Sequence, residues 1–167
     1  ESMTDPEGNS QVVTYYPGGN VKSITRLGNK TASTNPKEIL SHARHTYDGL
    51  NRLIQLDEMH AEEAEGTSIG DGMSTTVYTY TPTSQVETVT DDLGKTVTYF
   101  YDSMNRLRDV IDAEGNKVTR KYDKNGNLEK ITDYLKSDAN AGAVSTHERV
   151  SYAYDALNRP VRVTTDS

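Results

Sequence analysis

Tyr99-Phe100-Tyr101 alternates and is rich in aromatics, a pattern that predicts a strand. Asp102-Ser103-Met104-Asn105 follows as a turn, and Leu107-Arg108-Asp109-Val110-Ile111 as the return strand. Asp112-Ala113-Glu114-Gly115-Asn116 makes a second turn, after which Lys117-Val118-Thr119-Arg120-Lys121-Tyr122 opens the next hairpin. The pattern predicts an all-β protein. Each unit is one β-hairpin joined to its neighbour by a tight turn, giving an antiparallel meander.

The unit returns along residues 1–167. Full copies of the turn begin at Tyr47, Tyr101, Tyr122 and Tyr154, and degenerate ones at Tyr15 and Tyr80. The tyrosines are spaced by 32, 33, 21, 21 and 32 residues. A fixed unit with insertions marks a repeat architecture, here a single array of about six hairpins in a twisted, curved sheet.

Turn chemistry explains the recurring letters. Asp48, Asp102, Asp123 and Asp155 sit where a carboxylate accepts from backbone N–H groups two residues on. Asn51, Asn105, Gly126 and Asn158 sit where a type I turn with a bulge needs a left-handed residue. In the first copy Tyr16 takes the Asp place and Pro17-Gly18-Gly19 holds the turn. The copy Thr81-Pro82-Thr83-Ser84-Gln85-Val86 lacks both the Asp and the Gly or Asn, so a different or looser turn is expected there.

Three units carry 11 or 12 extra residues near the second turn, within about 29–45, 57–76 and 133–148. These stretches are polar and are expected to be surface loops. Asn35-Pro36-Lys37-Glu38 has the form of a helix start, so a short helix through about Ala43 is expected, with a further helical turn over Glu58–Glu65.

Leu, Ile, Val and Phe make up 30 of 167 residues, too few for an ordinary core, while eleven tyrosines argue against disorder. A polar, tyrosine-rich sheet held by neighbour-to-neighbour pairing fits this composition. A net charge of −7 argues against nucleic-acid binding, and no apolar run is long enough to span a membrane. Cysteine is absent, so thiol chemistry is excluded. The first residues, Met3-Thr4-Asp5-Pro6-Glu7-Gly8-Asn9, and the last, Val163–Ser167, fall at nearly the same phase of the unit. The expectation is a segment of a longer array, or edges covered by partner chains.

No catalytic, metal or cofactor set emerges. His42, His45, His60 and His147 lie in or beside the inserted stretches, and His42 and His45 would share one side of the expected helix. No cysteine or carboxylate pattern accompanies them as zinc would require. The turn aspartates are explained by capping rather than calcium. No phosphate-cradling Gly-rich loop occurs. The pairs Tyr78/Tyr80, Tyr99/Tyr101 and Tyr152/Tyr154 should each share a sheet face, as cross-strand packing or as stacking platforms for sugars.

The motif Tyr-Asp-x-x-Gly/Asn-Arg/Asn-Leu, a strand, then Asp-x-x-Gly, resembles the YD repeat of the Rhs family over nearly the whole chain. That resemblance implies hairpins wound into a hollow spiral β-shell, as in Rhs polymorphic toxins, insecticidal toxin complexes and teneurin-like shells. It implies a non-catalytic wall segment of a large secreted or cell-surface protein that encloses or displays a C-terminal effector. Expected partners are neighbouring repeats, edge-pairing proteins, an enclosed effector or a glycan. The alternative is an extracellular carbohydrate- or protein-binding module that uses exposed tyrosines or the inserted loops. The family's aspartyl self-cleavage element has the form Asp-Pro-x-Gly-Leu. Asp5-Pro6-Glu7-Gly8-Asn9 departs from it at Asn9 and reads as a second turn.

Overall fold

The computed structural model describes residues 1–6, 8–28, 38–60, 72–136 and 144–165. Thirteen strands run in chain order: β1 (Ser2–Thr4), β2 (Ser10–Tyr15), β3 (Val21–Gly28), β4 (Glu38–Tyr47), β5 (Leu53–His60), β6 (Met73–Tyr80) and β7 (Val86–Thr90). They continue as β8 (Thr96–Tyr101), β9 (Leu107–Ile111), β10 (Lys117–Tyr122), β11 (Leu128–Lys136), β12 (Val144–Tyr154) and β13 (Pro160–Thr165). Strand order in the sheet equals chain order, as a meander requires. No helix occurs among the described residues, and none is long and apolar enough to cross a membrane.

The chain forms two compact units. One comprises Glu1–Thr79 with Thr90–Gly94, the other Tyr80–Val89 with Lys95–Ser167. In the first, β3 pairs with β4 and β4 with β5, from Ser23↔Arg44 to Gly28↔Glu38 and from Ser41↔His60 to Tyr47↔Leu53. In the second, β8 to β13 pair in succession, with rows such as Phe100↔Asp109, Thr119↔Asp109 and Thr119↔Thr132.

Five tyrosine-ended strands, β2, β4, β8, β10 and β12, show the same irregularity. Tyr101 pairs with Leu107 but Phe100 with Asp109, so Arg108 is an extra residue. Lys22, Ile54, Glu129 and Val161 are the corresponding extra residues at Tyr15, Tyr47, Tyr122 and Tyr154. A bulge of this kind locally increases twist and re-aims the side chains beside it. Glu129 uses its place to pair with Lys121, at 3.1 Å.

The described residues form almost no apolar core. Among the described residues Val150 is the buried hydrophobic side chain, and Ser10, Asp57, Asp109 and Thr132 are buried polar ones. Polar cross-strand pairs take the place of core contacts. Asp109 Oδ1 accepts from Thr119 Oγ1 at 2.7 Å, and Asp57 Oδ1 accepts from Thr75 Oγ1 at 3.0 Å and Gln55 Nε2 at 2.7 Å. Both carboxylates are held by the strand that follows their own, which meets the requirement that buried charge be hydrogen-bonded.

The expected helix does not form. Glu38–Ala43 lie in β4, and Glu58 lies in β5; residues 35–37 and 61–65 fall outside the described residues. The ladder bonds of β4 to two neighbours outweigh a local capping signal, because a single helical turn has no cooperative advantage of its own. Parts of all three inserted stretches therefore lie in strands, in β4, β5, β6, β11 and β12. β4 has 10 residues and β12 has 11, whereas β7 and β9 have 5 each.

Candidate functional site: the turn rim

The recurring motif residues come together at the hairpin turns. In the turn after β8, Asp102 N donates to Arg106 O and Asn105 N donates to Asp102 O, at 2.9 Å each. The carboxylate closes the same loop. Asp102 Oδ1 accepts from the backbone N–H groups of Met104 and Arg106, and Oδ2 accepts from Arg106 Nε at 2.7 Å and pairs with Nη2 at 2.6 Å. Asp48 with Arg52 and Asp155 with Arg159 repeat this clasp. Asp123 does so with Asn127, whose Nδ2 lies 3.0 Å from Oδ2.

One backbone angle makes the loop possible. Asn51, Asn105 and Asn158 have φ of 61°, 60° and 59°, and Gly126 has 92°. Left-handed backbone is costly for most side chains, and Asn and Gly tolerate it best. The second turns use the same geometry. Asp112 clasps Asn116 and Asp5 clasps Asn9, with Gly115 and Gly8 at the left-handed position.

The turn at residues 81–85 corrects the expectation of a different loop. Thr81 N donates to Gln85 O and Ser84 N to Thr81 O, the same two bonds, and Ser84 has φ of 66°. Thr81 Oγ1 accepts from Gln85 N at 3.2 Å in place of a carboxylate. The strands on either side impose the loop, so the backbone persists with weaker side chains.

Hydrogen bonding to the ionised form shifts the turn aspartates. Asp102 is held below the ordinary carboxylate range first by the Arg106 side chain, and Asp123 and Asp112 by the side-chain amides of Asn127 and Asn116. Asp48 and Asp155 are lowered first by the backbone N–H groups of Arg52 and Arg159. Burial pushes the Tyr101 hydroxyl up, with the neighbouring Tyr99 adding to it.

Three motif tyrosines reach one hairpin back. Tyr101, Tyr122 and Tyr154 donate their hydroxyls to the carbonyls of Val86, Leu107 and Leu128, at 2.9, 2.8 and 2.9 Å. Each acceptor is the first residue of the preceding return strand. Tyr16 departs from this scheme, since its hydroxyl donates to His45 O and its ring packs edge-on against Tyr47. In the strand pairs, Tyr99 stands opposite Val110 and Tyr152 opposite Val163. Tyr78 and Tyr80 lie two apart in β6.

His42 and His45 do not converge. His42 and His45 are three apart in a strand rather than on one helical side. His42 Nδ1 is 2.8 Å from Thr25 Oγ1, whereas His45 stacks on Tyr47. Among the described residues no three His, Cys, Asp or Glu side chains are placed to hold a metal. The sequence motif includes the residue four after each turn aspartate but assigns it no role in closing the turn. Its restriction to Arg or Asn in the full copies was the available signal.

Residues 80–117 match the model of the RHS repeat. No curated protein matches the chain. Among solved structures, a TcdB2–TccC3 complex with Cdc42 is similar at 13% identity and a TM-score of 0.38, over 96% of this chain and 11% of that one. A Photorhabdus luminescens Tc holotoxin pore is similar at 13% identity and a TM-score of 0.39, over 98% of this chain and 10% of that one. The chain thus spans about a tenth of the length of the structures it is similar to. It carries an RHS repeat at residues 80–117, within a series of antiparallel hairpins built on one recurring turn.

Proposed function

We propose that this chain is a non-catalytic wall segment of an Rhs/YD-repeat shell, part of a large secreted or cell-surface protein that encloses or displays an effector. One observation carries the reading. The polar atoms of the motif act within the hairpins or between neighbours: turn aspartates on backbone N–H and Arg or Asn groups, tyrosine hydroxyls on backbone carbonyls. A motif repeated for binding or chemistry would leave such groups facing a ligand. The RHS repeat match at 80–117 supports the same role.

The test is the mass of the native protein that carries this segment, taken intact and after denaturation. A product far above 18.5 kDa that releases a separate piece only on denaturation is the expected result. A product near 18.5 kDa would overturn enclosure. Glycan or partner binding lost on Tyr99→Ala, with the fold intact, would then favour the alternative of an extracellular binding module.

A further inference from the structure

Within each of the two units, successive turns touch one another at a fixed pair of positions. Number each turn from the residue in the Asp place. The fifth residue of one turn reaches the fourth, left-handed residue of the next. Asn20 Nδ2 donates to Asn51 Oδ1 at 3.1 Å, and Asn127 Nδ2 donates to Asn158 Oδ1 at 2.9 Å. Gln85 Nε2 donates to the backbone O of Asn105 at 2.7 Å. Arg106 takes the same path with a different side chain. Its guanidinium lies over the Tyr122 ring at 4.3 Å, and its Nη1 lies 3.6 Å from where a Cβ on Gly126 would stand.

Four different side chains thus converge on one receiving position across sequence gaps of 20 to 31 residues. The same fifth residue also closes its own turn: Asn127 bonds Asp123 and Arg106 bonds Asp102. Asn127 is thus bonded on both sides, to Asp123 in its own turn and to Asn158 in the next. Its in-turn bond fixes where the side chain starts, and the left-handed residue of the next turn fixes where it ends. Asn125 adds a second bond to the same acceptor, donating to Asn158 Oδ1 at 3.0 Å.

We infer that the fifth turn residue is the coupling residue within each unit: it transmits stability from one hairpin to the next of the same unit through the left-handed residue of the following turn. An array of repeats is stable when nearest-neighbour terms supplement weak individual units. With Val150 the buried hydrophobic residue among those described, few apolar contacts are available to supply that term. The inference stands whether or not the array is part of a shell.

Double-mutant cycles on the 167-residue chain test it, read by equilibrium unfolding in urea. Asn51→Gly and Asn158→Gly remove the acceptor while keeping a residue that tolerates the left-handed backbone. Asn20→Ala and Asn127→Ala remove the donors. The unfolding constants of Asn20→Ala with Asn51→Gly, and of Asn127→Ala with Asn158→Gly, should depart from the product of the single effects by about fivefold. The crossed pairs, Asn20→Ala with Asn158→Gly and Asn127→Ala with Asn51→Gly, should multiply to within about twofold. Matched pairs that also multiply within that range would overturn the inference. If an alanine variant does not fold, side-chain amide NMR of the glycine variants decides. Asn158→Gly should shift the Asn125 and Asn127 amide signals and leave that of Asn20 in place, and unmoved Asn125 and Asn127 signals would contradict the coupling.

Discussion

The turn at 102–106 and the turn at 81–85 have the same backbone but different side chains. Both carry two closing backbone bonds and a left-handed fourth residue. At 102–106 a carboxylate gathers two N–H groups and a guanidinium, and an Asn takes the left-handed position. At 81–85 a hydroxyl accepts from one of those N–H groups, and a Ser takes that position. The strands therefore determine which loop forms, and the motif determines how firmly it is held. A repeat can lose its signature letters and keep its shape, provided its neighbours supply the register.

Acid should separate the two most strongly, because it acts on Asp48, Asp102, Asp112, Asp123 and Asp155 together. Their folded-state values lie below the ordinary carboxylate value, so the unfolded chain binds protons first as pH falls. The stability they contribute is fully present above about pH 4 and is lost progressively as pH falls below it. Urea midpoints between pH 7 and pH 2.5 should show this drop, and a midpoint independent of pH would remove the aspartates from the account.

Asp102→Ala should come next. It leaves two N–H groups and a guanidinium without their acceptor, and its loss of midpoint should exceed that of Thr81→Val, which removes the 3.2 Å bond from Gln85 N and the 3.0 Å bond with Thr83 Oγ1. Asn105→Val forces a β-branched residue into the left-handed region and should cost about 2 kcal/mol by urea unfolding, while Asn105→Gly should be close to neutral. Tyr122→Phe removes the hydroxyl bond to Leu107 and should cost about 1 kcal/mol. The smallest effect has the opposite sign. Ser84→Asn should stabilise by about 0.5 kcal/mol, because Asn tolerates φ of 66° better than Ser does.

The difference between the two turns also explains what the sequence could reveal. The hairpin unit was legible because Asp, then Asn or Gly three residues later, is demanded by local backbone geometry alone. Of the different or looser turn expected at 81–85, the different backbone does not form, because weak letters do not reveal a geometry shared with the other copies. The extra bulge residues Lys22, Ile54, Arg108, Glu129 and Val161 share no chemical type, so no pattern announced them. Asp109 reads as an ordinary strand polar residue and Asp57 as the start of an inserted stretch, whereas each is held by a threonine across the ladder, Thr119 and Thr75. The helix expected over 35–43 came from a local capping signal that could not anticipate two flanking strands.

Residue-resolved amide hydrogen exchange on the wild-type chain and Asp102→Ala tests the central claim, that side chains of the motif hold the turns and the turns hold the sheet. Protection should fall at Met104, Asn105 and Arg106, spread into β8 and β9, and persist in the β2–β3 hairpin. Unchanged protection in β8 and β9 would contradict it, and the recurring aspartate would then need a role outside the fold.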